Sequence, residues 1–193
     1  MRCPKIARSG QSASILFGVL TAFLLAGALP VPGNAQTKKR LPDRHARLAR
    51  EVRHELVMLP YYGVFDNLEF SIQGIDTVVL SGQVTRPTLK KDAENVVGKL
   101  EGVGKVTNNI EVLPLSPHDD GLRLATYRAI YSKPGLDRYA LQAVPPIHII
   151  VKNGNITLVG VVATQSDKDL AGIAARGVSG AFGVTNDLRV EKS

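Results

Sequence analysis

Cysteine is almost absent from this sequence, since Cys3 is the only one in 193 residues. A chain with a single cysteine cannot form an internal disulfide. If residues 1–35 are removed as a targeting segment, the mature chain has no thiolate either, which excludes cysteine nucleophiles and thiolate metal sites. An oxidising compartment remains compatible with the sequence, because disulfides are permitted there rather than required.

The N-terminal segment is typical of a secretory signal peptide. Its start is basic through Arg2, Lys5 and Arg8, and residues 13–29 are apolar apart from small polar residues and glycines. Small residues at its end predict cleavage after Ala35. A retained membrane anchor is the alternative, but the apolar run has about 17 residues, the lower limit for spanning a bilayer. We therefore expect an exported protein.

Positive charge is concentrated at one end of the mature chain. Residues 1–35 carry three basic and no acidic residues, so their removal lowers the formal net charge from +7 to +4. Between residues 36 and 54, two acids, Asp43 and Glu51, stand against seven basic residues: Lys38, Lys39, Arg40, Arg44, Arg47, Arg50 and Arg53. Such a patch suits an anionic partner.

The sequence has no pattern typical of catalysis. No pair of its four histidines has metal-ligand spacing on a helix, and no serine lies in a nucleophile elbow. Gly102-x-Gly104 precedes a predicted strand, unlike a phosphate-binding loop. The His118-Asp119-Asp120 stretch could hold a divalent ion weakly, but a solvated linker explains it more simply. We expect no enzyme activity, no cofactor and no metal.

The sequence contains one module twice, 78 positions apart. Residues 72–112 align with residues 150–190 without a gap, and 11 of the 41 pairs are identical. Tyr61 and Tyr139 also correspond in this register. A duplication of this period predicts two copies of a small domain.

Each copy has the pattern of a helix, two strands, a second helix and a third strand. In the first copy, Leu48, Val52 and Leu56 recur at helical spacing, whereas residues 68–72 and 78–84 alternate in polarity. The predicted fold class is α/β in the α+β sense, a tandem repeat in which each module has a three-stranded mixed sheet with two helices on one face. Modules of about 70 residues have small cores, so we expect them to pack against each other.

These patterns also predict the domain boundaries. We assign residues 1–35 to the signal peptide, 36–42 to a basic leader, 43–113 to the first module, 114–120 to a linker and 121–193 to the second module.

Both copies contain a motif in two parts. The first contains Val78–Val84 (VVLSGQV) and then Gly102–Ile110 (GVGKVTNNI), and the second contains Gly154–Val162 (GNITLVGVV) and then Gly180–Leu188 (GAFGVTNDL). A helix separates the two halves of the motif in each copy, and this arrangement resembles the BON domain. The first copy departs from the motif at Asp76, where a turn glycine is usual.

This resemblance implies a small α/β fold and an exported bacterial protein without catalytic residues. Proteins with two BON domains are periplasmic, are associated with osmotic stress and envelope integrity, and are thought to act at phospholipid surfaces or on envelope proteins. The resemblance therefore implies a periplasmic location, peripheral to a membrane if the chain docks there.

The motif glycines and asparagines have two interpretations. They could form a ligand site, or they could serve turns, close packing and bonds to neighbouring backbone. We favour the structural interpretation because these positions belong to the fold pattern itself. They are Gly82, Gly102, Asn108, Gly160, Gly180 and Asn186.

The basic first helix is the main candidate for lipid binding. Arg44, Arg47 and Arg50 recur every third residue, and Lys38, Lys39 and Arg40 precede them. Anionic headgroups attract such patches, so reversing the three arginines to glutamate should weaken binding to vesicles. A solvated basic face is the alternative. Nucleic acid would fit the charge, but export argues against it.

The first helix of the second copy is a further candidate. Tyrosine and basic side chains together suit the lipid–water boundary, although the tyrosines could instead pack half-buried against the sheet or the other copy. The residues are Tyr127, Arg128, Tyr131, Lys133, Arg138 and Tyr139.

The sequence thus predicts a non-enzymatic module that docks on anionic phospholipid surfaces in envelope maintenance or the osmotic stress response. The alternative is an envelope protein-interaction or chaperone-like module that uses its open sheet faces or edges. The sequence leaves the strand order and the oligomeric state open.

Overall fold

The computed structural model describes residues 37–191, with side chains from Arg44 onward. The predicted signal peptide and its cleavage after Ala35 lie outside the described residues. Within them, the order helix, strand, strand, helix, strand occurs twice, which confirms the predicted fold class. The two modules belong to one compact unit.

The first module has two helices and a mixed sheet in which the third strand is split. Its elements are α1 (Thr37–Val57), β1 (Asn67–Gln73), β2 (Thr77–Val84), α2 (Pro87–Gly98), β3 (Lys105–Asn108) and β4 (Glu111–Val112). β1 is antiparallel to β2, and β3 and β4 both run parallel to β2 on its other side. The strand is interrupted where the amide of Ile110 donates to Asn108 Oδ1 at 3.2 Å.

The second module repeats this sheet with a continuous third strand. Its elements are α3 (Pro117–Tyr131), a 3-10 helix (Asp137–Leu141), β5 (Ile147–Lys152), β6 (Asn155–Val162), α4 (Gln165–Arg176) and β7 (Gly183–Val190). β5 is antiparallel to β6, and β7 is parallel to β6.

Two expected boundaries differ from the structure. α1 begins at Thr37, so the basic leader assigned to residues 36–42 is helical from its second residue. α3 begins at Pro117, so the last four residues of the assigned linker form its first turn. Ser116 explains that start, because its Oγ accepts the amide of Asp119 at 3.2 Å and Pro117 follows at the first helical position.

Each module buries its own core between the sheet and the two helices. The apolar face predicted for the first helix is confirmed, because Leu48, Val52 and Leu56 are buried in the same core as the inward residues of β2. The buried residues of the first core are Leu48, Val52, Leu56, Leu59, Val78, Leu80, Val84, Leu89, Ala93, Val97 and Ile110. The second core is richer in isoleucine and includes Ile130, Ile147, Ile149 and Ile156.

The modules contact each other through the chain that enters β1. The amide of Ile149 on β5 donates to the carbonyl of Val64 at 2.8 Å, and the ring of Tyr62 stacks on His148 at 5.6 Å between centroids. Val64 also packs against the second core. The expected packing of the two copies is therefore observed.

No helix in the described part of the chain is long and apolar enough to cross a bilayer.

Candidate functional site

The structure places the arginines of α1 on different sides of the helix. Leu48, Val52 and Leu56 mark the buried side. At about 100° per residue, Arg44 and Arg47 fall on one flank, next to the turn between α2 and β3. Arg50 instead falls on the side that faces away from the core, and Arg53 falls on the opposite flank, near Leu68 and Phe70 of β1. The basic cluster predicted from sequence is thus not one surface.

The charge of the flank is partly balanced by acids. Arg47 Nε donates to Glu51 Oε1 at 2.8 Å. This hydrogen bond raises the pKa of Arg47, and the charges of Glu51 and Glu101 act in the same direction. Arg44 lies beside Gly102 in the same depression. An anionic partner would therefore compete here with carboxylates already in place.

Three apolar or aromatic side chains at the C-terminal end of α1 and just after it are exposed. Val57 is 46%, Met58 67% and Tyr61 73% exposed. The guanidinium of Arg86 lies over the Tyr61 ring, 4.8 Å from its centroid. Along the described chain, the arginines of this surface have no carboxylate within 4.0 Å. We call this surface the α1 tip; it consists of Arg50, Arg53, Val57, Met58, Tyr61 and Arg86.

The tyrosines expected on the second module lie mostly inside it. Tyr131 is buried and its hydroxyl donates to the carbonyl of Ile147 at 2.7 Å; desolvation by burial raises its pKa. Tyr127 is half-buried, and its ring is 4.7 Å from that of Tyr131 and 6.3 Å from that of Phe65. This geometry matches the packing alternative.

Tyr139 is also buried and holds a polar network together. Its hydroxyl donates to Asp167 Oδ2 at 3.0 Å and accepts the amide of Ala163 at 2.8 Å. Arg138 donates to the same carboxylate oxygen at 2.5 Å. Desolvation opposes ionisation of Asp167, but hydrogen bonds from Thr164 and Tyr139 and the charge of Arg138 outweigh it, so the pKa of Asp167 is lowered. The side chains of Tyr139 and Arg138 therefore stabilise the fold of the second module.

Arg128 and Lys133 remain on the surface of the second module as exposed cations. The side chains of Lys38, Lys39 and Arg40 lie outside the described side chains, although their backbone belongs to α1.

Sequence reasoning missed Met58, Tyr61 and Arg86. The internal symmetry made Tyr61 equivalent to Tyr139, yet one is exposed and the other buried. Asp167, the acceptor for Tyr139, corresponds to Leu89 in the first copy, which offers no acceptor. The difference between Asp167 and Leu89 is the signal in the sequence that could have distinguished a buried Tyr139 from an exposed Tyr61.

Among the described residues, no three histidine, cysteine or acidic side chains are grouped so that they could hold a metal ion.

The comparison with protein families agrees with this architecture. The BON domain model matches residues 45–114 and 136–192, one segment in each module. The chain belongs to the BON domain family. The family consists in general of envelope-associated binding modules without catalytic activity. No curated protein matches the chain.

Two solved structures resemble this BON protein weakly. Both are of CdsD, a structural protein of the type III secretion system of Chlamydia trachomatis. The C-terminal domain is 12% identical, with a TM-score of 0.27, and the match covers 75% of this chain and 98% of that one. The second structure is also 12% identical, with a TM-score of 0.30 and coverage of 76% and 93%. These values carry no functional argument.

Proposed function

We propose that this BON protein is an exported, non-enzymatic module that docks reversibly on anionic phospholipid surfaces in envelope maintenance or the osmotic stress response. The α1 tip is the docking surface. The observation that carries the proposal is the exposure of Met58 and Tyr61, with Arg86 over the Tyr61 ring and with no carboxylate partner for Arg50, Arg53 or Arg86 in the described structure.

The proposal combines two physical terms. A basic residue near an anionic leaflet contributes about 1 kcal/mol, and salt screens this contribution. Tyrosine is suited to the depth of the headgroups, and Met58 adds apolar surface at the same end of the helix. The apolar cluster is small, so the insertion is shallow and the binding is reversible.

Co-sedimentation with vesicles tests the proposal. Residues 36–193 are mixed with zwitterionic and with anionic vesicles, each at low and at high salt. Binding to anionic vesicles alone, lost at high salt, is the expected result. No binding to either vesicle type at low salt would overturn the lipid proposal.

Binding to an envelope protein is the second candidate, and β7 is the observation in its favour. This strand has eight residues, and in the described sheet it pairs on one side only, with β6. An unpaired strand edge can accept an added strand from a partner. If the protein does not bind vesicles, substitution of Val184 by proline should weaken capture of an envelope partner, because the amide of Val184 points to the open side of β7 and proline removes it.

A further inference from the structure

A crevice of about 570 Å³ opens where the first module meets the second. α1 and β1 form one wall, and the ends of β6 and β7 form the other. Its floor is apolar and includes Leu56, Leu68 and Phe70. The volume lies within the usual range for small-molecule sites, about 300–1,000 Å³.

The crevice exists because β1 is the edge strand of its sheet. Leu68 and Phe70 face the core from β1, but they are only half-buried. Val161, across the crevice on β6, is 40% exposed. Apolar surface continuous with the first core is therefore open to solvent.

Charged groups stand at the crevice from both modules. Arg53 comes from α1, Arg189 from β7 and Glu69 from β1. In the described structure none of the three has an oppositely charged side chain within 4.0 Å. The site thus has a formal charge of +1, which complements a ligand with one negative charge.

The lining is also long enough for an extended acyl chain. Ala49 and Val57, both in the wall, are eight residues apart on α1, which is about 12 Å along the helix axis. A lining that combines Leu56, Leu68 and Phe70 with one arginine from each module matches an acyl chain that ends in one carboxylate. Arginine binds a carboxylate through two parallel hydrogen bonds.

We propose that the crevice binds one medium-chain fatty acid, such as laurate. The acyl chain lies along α1 against Leu56, Leu68 and Phe70, and the carboxylate lies between Arg53 and Arg189.

The crevice shares Arg53 and Val57 with the α1 tip, but Val161 and Arg189 belong to the crevice alone. Variants of Val161 and Arg189 therefore test the fatty-acid site separately from docking to a bilayer.

Displacement of dansyl-undecanoic acid tests the head group. Its fluorescence is expected to rise when it binds the purified protein, and laurate is expected to displace it. Dodecanol, which has the same chain without charge, and dodecyltrimethylammonium, which is cationic, should displace it far less. Equal displacement by dodecanol would overturn the proposal, and so would the absence of probe binding.

Matched variants locate the site. Arg189→Glu should weaken binding of the probe about tenfold or more, because it replaces a contact with repulsion. Arg176→Glu makes the same charge change on an exposed residue of α4 and should leave the affinity nearly unchanged. Glu69→Gln should tighten binding, since it removes the one negative charge.

Val161→Glu provides a second test at the apolar wall. It places a negative charge in the crevice without removing an arginine and should also weaken binding. Probe affinity that is the same in the wild type, Arg189→Glu and Val161→Glu would place the ligand elsewhere and overturn the proposal.

Discussion

Asn186 joins the last strand of the second module to helix α4: its Nδ2 donates to the carbonyl oxygen of Lys168 at 2.8 Å. Its Oδ1 accepts the amide of Leu188 at 3.3 Å. In the first module, Asn108 makes the equivalent bond to Lys90 at 2.9 Å. Both asparagines of the repeated motif therefore act within the fold, which matches the structural interpretation of the motif.

Replacing Asn186 with alanine should lower the free energy of unfolding by about 1–3 kcal/mol, because two partly buried backbone groups lose their partners. Urea unfolding followed by circular dichroism measures the change. Asn95→Ala, at an exposed position of α2, is the control and should cost little. Equal stability of Asn186→Ala and the wild type would contradict this role.

Gly160 should not tolerate alanine. Its φ is +127°, and a Cβ atom there would overlap the carbonyl oxygen of Pro146 on the entry to β5. Gly82 has the same relation to Asn67 in the first module. Gly160→Ala should lower the free energy of unfolding by about 1–3 kcal/mol. Gly121→Ala, in α3 with open space around it, should instead stabilise by about 0.5–1 kcal/mol.

The fold was predictable from sequence because its signals are local or repeated. Helical spacing of Leu48, Val52 and Leu56 gives the buried side of α1, and the duplication shows that the same succession of helices and strands occurs in both modules. The functional surface was less predictable. Tyr61 and Tyr139 correspond in sequence, but their environments depend on Asp167, a residue 28 positions from Tyr139. Such partners become visible only when the chain is folded.

The hydroxyl of Tyr131 should matter for stability and not for lipid. Tyr131→Phe removes its bond to the carbonyl of Ile147 and should cost about 0.5–1.5 kcal/mol. Binding to anionic vesicles should be unchanged, since the ring is buried. If Tyr131→Phe has normal stability but binds vesicles more weakly, Tyr131 takes part in lipid binding.

His148 should make the protein less stable in mild acid. Desolvation against the first module lowers its pKa from 6.5, although nearby carbonyls of Gly63 and Asp66 and the charge of Asp66 act in the opposite direction. The unfolded chain therefore binds more protons below about pH 6.5, and stability falls as the pH drops through that value.

The thermal midpoint, measured from pH 7.5 to 5, tests this dependence. His148→Phe keeps a ring against Tyr62 and cannot be protonated, so its midpoint should change less over the same interval. Parallel curves for the variant and the wild type would show that other groups cause the loss.

Vesicle binding should depend on which arginines are reversed. Arg50→Glu with Arg53→Glu changes the α1 tip and should weaken binding to anionic vesicles at least about tenfold. Arg44→Glu with Arg47→Glu makes the same change in net charge on the flank, where Glu51 and Glu101 already oppose an anion, and should weaken binding less. Equal losses would mean that net charge decides binding and that the α1 tip has no special role.

The apolar part of the tip can be separated from its charge. Met58→Ser with Tyr61→Ser leaves every arginine in place and removes two side chains that are 67% and 73% exposed, so folding should not suffer. If these side chains enter the headgroup region, the double variant binds anionic vesicles more weakly, and the remaining binding is more sensitive to salt because only the electrostatic term is left. Ile173→Ser, which removes an apolar side chain that is 61% exposed on α4, is the matched control and should bind as the wild type does. Co-sedimentation at several salt concentrations distinguishes these outcomes. Wild-type binding by the double variant would mean that only charge contributes to the interaction.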